Sequence, residues 1–470
     1  MNEINEKKKL SEQLFNKKEN GWKGLSPEQF KKIMEFADEY MAFLNKGKTE
    51  REFIKHAKIM ADENGFKDIS EYTNLKVGDK VYFVNREKSM YLAIIGEESI
   101  ENGMHIIGSH VDSPRLDLKP NPLYEDTGFA YFKTHYYGGI KKYQWTAIPL
   151  SIHGVIVKPN GDKVEINIGE NETDPIFTIT DLLPHLAIEQ MGKTLSKAIE
   201  GEDLNLLIGS IPYENEDCKE QVKLNILSIL HAKYGITEVD FESSELELVP
   251  AFKARSLGFD QSLVAAYGQD DKICAYTSLA AMMKLENVKK TAICILSDKE
   301  EIGSMGNTGM ESHMFDYFIS ELLNKLNINR PNLLDKVFCF SKMLSSDVDA
   351  GYDPLYANVS DRYNAGFLGK GMSLNKYTGS RGKAGGSDAN AEFVAWMRNL
   401  FEQNNIKYQV AELGKVDVGG GGTIAYILAN KGAEVIDCGI PLLCMHAPYE
   451  VTSKFDVYEA FKTYKAFWNV

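Results

Sequence analysis

His110 closes the apolar run His105-Ile106-Ile107-Gly108-Ser109-His110, and Asp112 follows two residues later. Residues i and i+2 of an extended strand point the same way, so the imidazole and the carboxylate share a face. In that arrangement an acid can fix the ring orientation of a metal-binding histidine. Further polar clusters recur beside apolar runs: Asp270-Asp271, Glu300-Glu301, Asp347, and His446 at the end of Pro441-Leu442-Leu443-Cys444-Met445-His446. Together His110, Asp270, Glu300, Glu301, Asp347 and His446 make an N,O donor set suited to hard or borderline divalent cations. Two imidazoles and three carboxylates could hold two such ions about 3.5–4 Å apart with one carboxylate bridging, and the remaining acid could take a proton from the activated water.

Taken singly, each residue has an ordinary explanation. Glu300-Glu301 reads as a solvated acidic turn, Asp347 as a helix N-cap and His446 as a satisfied core histidine. Their joint occurrence at strand ends is what points to a site. Other catalytic sets are missing or incomplete. There is no Gly-x-Ser-x-Gly elbow, and Cys444 lies two residues from His446 in an apolar run that reads as core. The run Gly419–Gly422 lacks the phosphate-loop pattern and suits a backbone that approaches a substrate main chain.

Positioning such groups requires a scaffold. Residues from about 5 to 64 read as helices, with Pro27 in a first turn and Gly65 as a terminator. Short, wholly apolar runs at 81–84, 91–95 and 105–107 suit strands buried on both faces. From 119 to 252 the texture changes to several β-like runs (129–137, 148–158, 163–168, 176–180 and 245–249) with one helix around Val222 to Leu230. Beyond 253 strand, polar cluster and helix alternate. Asp270-Asp271 opens a helix, a strand runs from Ala292 to Leu296, another from Val337 to Ser341, helices begin after Gly385–Asp388 and after the glycine run, and a further strand covers Glu434 to Asp437. The expectation is an α/β domain made of 1–118 and 253–470, with a β-rich module at 119–252 inserted in it. In open α/β sheets ligands bind beyond the carboxyl ends of the strands, where these clusters fall.

A chain of 470 residues is long enough for two domains. Its net charge of −14 argues against nucleic acid or an anionic membrane as the main partner. No apolar run approaches the ~20 residues of a membrane span, and the first residues lack the apolar core of a signal peptide. The six cysteines (Cys218, Cys274, Cys294, Cys339, Cys438, Cys444) are scattered and mostly apolar in context, as for reduced thiols in a cytoplasmic protein. Any metal would therefore be held by histidine and carboxylate.

Six motifs occur in order: Gly-Ser-His-Val-Asp-Ser-Pro (108–114), Gly-Gln-Asp-Asp (268–271), Ser-Asp-Lys-Glu-Glu-Ile-Gly-Ser (297–304), Ser-Ser-Asp-Val-Asp-Ala (345–350), Gly-Gly-Gly-Gly-Thr-Ile (419–424) and Met-His-Ala-Pro-Tyr-Glu (445–450). In order and spacing the chain resembles the M18 metallo-aminopeptidases, the aspartyl aminopeptidase and aminopeptidase I group. The resemblance implies a dinuclear-metallopeptidase (phosphorylase/hydrolase-like) α/β catalytic domain with an inserted β-rich dimerisation domain, and homo-oligomers built from dimers up to tetrahedral dodecamers. It implies His110 and Asp347 on one metal, Glu301 and His446 on the other, Asp270 bridging, Glu300 as general base and proton donor, and Asp112 orienting His110. It further implies a cis peptide between Asp270 and Asp271, two divalent ions per subunit with zinc expected and cobalt or manganese suiting the same ligands, and peptides with a free N-terminus as substrates. A two-metal amidase or deacylase, or a catalytically silent scaffold, are the competing readings.

The eukaryotic members have Arg-Leu-Asp-Asn, Ser-Ile-Arg-Glu and a histidine where this chain has Gly-Gln-Asp-Asp, Ala-Pro-Tyr-Glu and Glu189. The bacterial branch is the nearer match, and an acidic N-terminal preference does not carry over with it.

Overall fold

The structure is a computed structural model that describes residues 10, 14–16, 19–214 and 217–470. The expected helix before about residue 19 lies largely outside those residues. Ser26 and Thr49 cap the helices Pro27–Leu44 and Glu50–Glu63, each through a capping box with the side chain three residues on (Gln29 and Glu52).

A nine-stranded sheet organises the chain, in the order Lys67–Asp68, Lys80–Asn85, Ser89–Ile94, Ala292–Ser297, His105–His110, Lys342–Ser345, Glu434–Gly439, Met372–Asn375 and Tyr408–Ala411. Its four central strands, from Ala292–Ser297 to Glu434–Gly439, are mutually parallel. Three adjacent strands of this sheet, Ser89–Ile94, Ala292–Ser297 and His105–His110, are buried throughout, because helices cover both faces. Gln269–Met282, Ala391–Gln403, Lys454–Trp468 and the two N-terminal helices pack on one face, against Leu92, Ile107, Cys294 and Leu344. Met314–Lys325, Leu333–Cys339 and Ala425–Ala429 cover the other, against Tyr91, Ile106, Ile295 and Met343. Adjacent residues of one strand thus serve opposite cores.

A second, six-stranded sheet carries the order Lys163–Ile168, Leu150–Val157, Ser244–Pro250, Arg115–Asp126, Phe129–Tyr137 and Leu206–Gly209. With the helix Gln221–Tyr234 it encloses its own apolar cluster around Trp145, Leu150, Phe241 and Leu248. Its β structure starts at Arg115, a few residues before 119.

Two elements differ from expectation. Val337 to Ser341 is not a strand: Leu333–Cys339 is helical, and the strand leading to Asp347 is Lys342–Ser345. Leu333, Val337 and Phe338 are buried on one helical face while Phe340 is 58% exposed, a helical rather than an alternating period. The run 176–180 forms no strand of its own; Phe177 bridges Leu150 and Thr178 bridges Leu207, so successive residues pair with different strands. No helix among the described residues is long and apolar enough to cross a membrane.

Candidate metal centre

The parallel register brings the site together. His110 is the last residue of its strand and pairs with Ser297, so the chain leaving Ala292–Ser297 emerges beside it. There Lys299 is left-handed (φ 68°) and opens the tight turn Glu300–Ile302, closed by Gly303 at φ 97°. The Ser346 N–H donates to the Gly108 carbonyl at 2.7 Å, which delivers Asp347 to the other side of His110. Asp270 heads the helix Gln269–Met282 with extended ψ, and the Asp270–Asp271 peptide is cis. His446 sits in the left-handed region (φ 64°), its N–H held by Glu450 Oε1 at 2.8 Å.

Two donor clusters result. His110, Asp270 and Asp347 each offer one atom to the first, and Asp270, Glu301 and His446 to the second, the atoms of each lying within 4.8 Å of one another. Asp270 belongs to both through different oxygens: Oδ1 lies 3.3 Å from His110 Nε2 and Oδ2 lies 3.2 Å from His446 Nε2. Asp347 Oδ1 is 3.7 Å from His110 Nε2, and Glu301 Oε2 is 3.5 Å from His446 Nε2. Glu300 Oε2 faces the same space, 3.8 Å from His110 Nε2, with its side chain 17% exposed.

Asp112 stands behind the site. Its backbone carbonyl lies 3.0 Å from His110 Nδ1 and its Oδ1 3.3 Å from the same nitrogen. A carbonyl can only accept, so Nδ1 carries the proton and Nε2 offers a lone pair to the cluster. The Asp112 carboxylate also accepts the N–H groups of Glu300 (3.1 Å) and Glu301 (3.2 Å). One buried acid thereby fixes an imidazole and the turn carrying both glutamates.

The electrostatics match a cation site. Burial pushes the Glu300 carboxyl up to about 8, the neighbouring Asp347, Asp112 and Asp270 adding to the rise against the pull of His110. Burial, then Asp270, hold Glu301 well above the carboxylate range. Burial opposes charge on His446, yet Asp270 and Glu301 raise it to about 10. Asp270 is likewise buried, and its bonds to His110 and His446 take it below its ordinary value. So many acids around two imidazoles want positive charge. Glu301 Oε1 is buried without a hydrogen-bond partner and Asp270 splits its oxygens between two histidines, so the donor set fits two divalent ions sharing one carboxylate.

All seven residues singled out from sequence come together. Sequence reasoning missed Glu450, whose Oε2 accepts the N–H groups of Gln269 (2.6 Å) and Asp270 (3.1 Å) while its Oε1 holds His446. Its only signal was its place four residues after His446 in the last motif. It also missed Asp271, whose Oδ2 accepts the His110 N–H at 3.3 Å. The glycine run packs against a neighbouring loop: a Cβ at Gly420 (φ 131°) would lie 2.5 Å from the Gly379 carbonyl oxygen.

Residues 43–468 match the family model for aminopeptidase I zinc metalloprotease (M18). The chain is 51% identical over 460 residues to a Clostridium acetobutylicum protein described as a probable M18 family aminopeptidase 1, covering 97% of this chain and 99% of that one. The crystal structure of an M18 family aminopeptidase from Thermotoga maritima superposes with a TM-score of 0.93 at 46% identity, over 97% of this chain and 100% of that one. Aminopeptidase I from C. acetobutylicum gives 0.91 at 48% identity, over 97% and 100%. The S. cerevisiae mApe1 dodecamer, 20% identical, shares the fold at a TM-score of 0.74 over 93% of this chain and 97% of that one.

Proposed function

The chain belongs to the M18 family of zinc metalloproteases and is a metal-dependent aminopeptidase; from that premise we propose that it cleaves the N-terminal peptide bond at a two-cation centre in which Glu300 moves the proton. The observation that carries this is the division of the Asp270 oxygens between His110 and His446. His110 and Asp347 would hold one cation and Glu301 and His446 the other, with Asp270 between them; zinc is the expected occupant, and cobalt or manganese suit the same donors. When bound, the two cations polarise the scissile carbonyl and make water acidic enough to attack at neutral pH.

Positive charge beside it would keep the Glu300 carboxyl ionised, and Glu300 takes a proton from the attacking water as the water oxygen bonds to the carbonyl carbon. It then delivers the proton to the amide nitrogen as the C–N bond breaks. The Glu300 carboxylate is regenerated, and the products are a free amino acid and a peptide one residue shorter. Asp112 keeps Glu300 on station through the backbone of the turn. The surplus of carboxylates favours the cationic α-amine of a free N-terminus, which fits an exopeptidase.

The same reading makes 1–118 and 253–470 a dinuclear-metallopeptidase catalytic domain and 119–252 an inserted dimerisation domain. Two sheets with separate cores support it. Exposed Leu182, Leu183, Leu186, Ile188 and Met191 support a dimer contact on that module, within a homo-oligomer as large as a dodecamer. Six free cysteines support a cytoplasmic setting.

Release of free amino acids from short peptides, before and after chelation and with metal restored, tests the proposal. Full turnover after thorough metal removal would contradict it. Matched N-acyl amino acids and free-amine peptides separate it from an amidase, which would prefer the former.

A further inference from the structure

Two residues where the chain leaves the six-stranded sheet, Tyr137 and Gly139, bond to the metal centre. At the end of the Phe129–Tyr137 strand, the Tyr137 hydroxyl donates to Asp112 Oδ2 at 2.8 Å. That carboxylate holds the N–H groups of Glu300 and Glu301 and lies against the His110 ring. Two residues on, the Gly139 carbonyl accepts from His446 Nδ1 at 2.9 Å. A carbonyl cannot donate, so this contact places the His446 proton on Nδ1 and leaves Nε2 to face Asp270 and Glu301.

The segment is itself held firmly. The Arg115 guanidinium lies 4.0 Å over the Tyr137 ring and pairs with Asp117 at 2.8 Å, Glu247 at 3.3 Å and Glu50 at 3.4 Å. Gly138 is left-handed (φ 73°), and a Cβ there would come within 3.4 Å of Glu301 Cβ and Oε2. A Cβ at Gly139 would come within 3.2 Å of His446 Nδ1, tighter than ordinary contact.

We propose that Tyr137 and Gly139 are positioning residues of the peptidase centre: through them the second sheet fixes the glutamate turn on one side and the tautomer and placement of His446 on the other. The Gly139 half rests on the two-cation reading above; the Tyr137 half does not. The contacts predict different losses. Tyr137→Phe keeps the ring under Arg115 and removes one hydrogen bond to Asp112. It should lower kcat by about 10–100-fold at saturating zinc, with KM and cation content near wild type, in the range expected when a partner behind a metal ligand is lost. Gly139→Ala pushes on one histidine and should weaken one of the two cations by about 10–100-fold, leaving the other unchanged. Tyr136→Phe, a neighbouring exposed ring, should behave as wild type.

The experiment is a set of steady-state kinetics, titrations of zinc against a fluorescent chelator, and thermal melts of the metal-free proteins. Wild-type kcat in Tyr137→Phe, or a kcat loss no larger than the fraction unfolded, would overturn the Tyr137 role. Unchanged affinity for every cation in Gly139→Ala would overturn the Gly139 role. A wild-type protein binding a single cation would refute the two-cation reading, and the kcat of Tyr137→Phe would still decide the Tyr137 role.

Discussion

Gly439→Ala is a substitution outside the donor set that should disable it. Gly439 ends the Glu434–Gly439 strand, and a Cβ built there would lie 1.5 Å from the Asp347 carbonyl oxygen and 2.5 Å from its carbonyl carbon. Real Cβ atoms essentially never come within 3.0 Å of another heavy atom, so the two backbones must part by about 1.5 Å. The obstacle is backbone on both sides, so no rotamer change relieves it. Metal–ligand distances tolerate deviations of about 0.2 Å, and a misplacement of about 1 Å in a catalytic array can cost on the order of 100-fold in rate. The expectation is a roughly 100-fold loss of kcat together with loss of the cation proposed for His110 and Asp347, while the one proposed for Glu301 and His446 is kept. Gly96→Ala is the control: its Cβ would meet the Lys290 carbonyl carbon at 2.4 Å, a similar backbone clash away from the donor clusters. Zinc titration, kinetics and thermal melts of the two variants side by side make the assay. If Gly439→Ala binds both cations with wild-type affinity, Asp347 is not where the argument needs it. If Gly96→Ala loses the same cation, the effect is general destabilisation.

Glu300→Gln should retain cation content and lose about 10²–10⁴-fold in kcat, the usual worth of a positioned general base; retained turnover would remove Glu300 from that role. His105, at the other end of the His110 strand, is pushed down to about 4 by burial, with Lys342 and Lys290 adding to the effect. The unfolded chain therefore binds a proton that the folded one refuses between about pH 6.5 and 4, and stability falls as pH drops through that window by up to about 3 kcal/mol. His105→Phe keeps an aromatic ring near Phe467 and Trp396 and should flatten that part of the pH–stability curve, read by denaturant melts of the metal-free protein. Binding of zinc to the folded state alone should raise the melting temperature in a concentration-dependent way, and His446→Ala should reduce that rise.

The donor residues were legible because each follows an apolar run or heads a helix, a local pattern that needs no long-range knowledge, although His446 stands in a turn beyond the short strand Pro441–Leu442 and not at a strand end. Parallel pairing then did what an α/β sheet does and brought those ends to one edge. The Val337–Phe340 run was misread because four apolar residues fit a strand or a buried helical turn equally, and only the exposure of Phe340 reveals the period. The 176–180 run misled because its residues have β character but are shared between two strands. Glu450, Tyr137 and Gly139 escaped for a different reason. Their contacts to the site cross 181 residues from Gln269, 25 residues and a change of sheet from Asp112, and 307 residues from His446, distances over which sequence periodicity carries no signal.

The sharing of Asp270 by two cations is decided by counting bound zinc per chain in the wild type and in Asp270→Asn by competition titration. Two per chain in the wild type, with both weakened together in Asp270→Asn, is the predicted result. One per chain in the wild type, or two still tightly bound in Asp270→Asn, would contradict it.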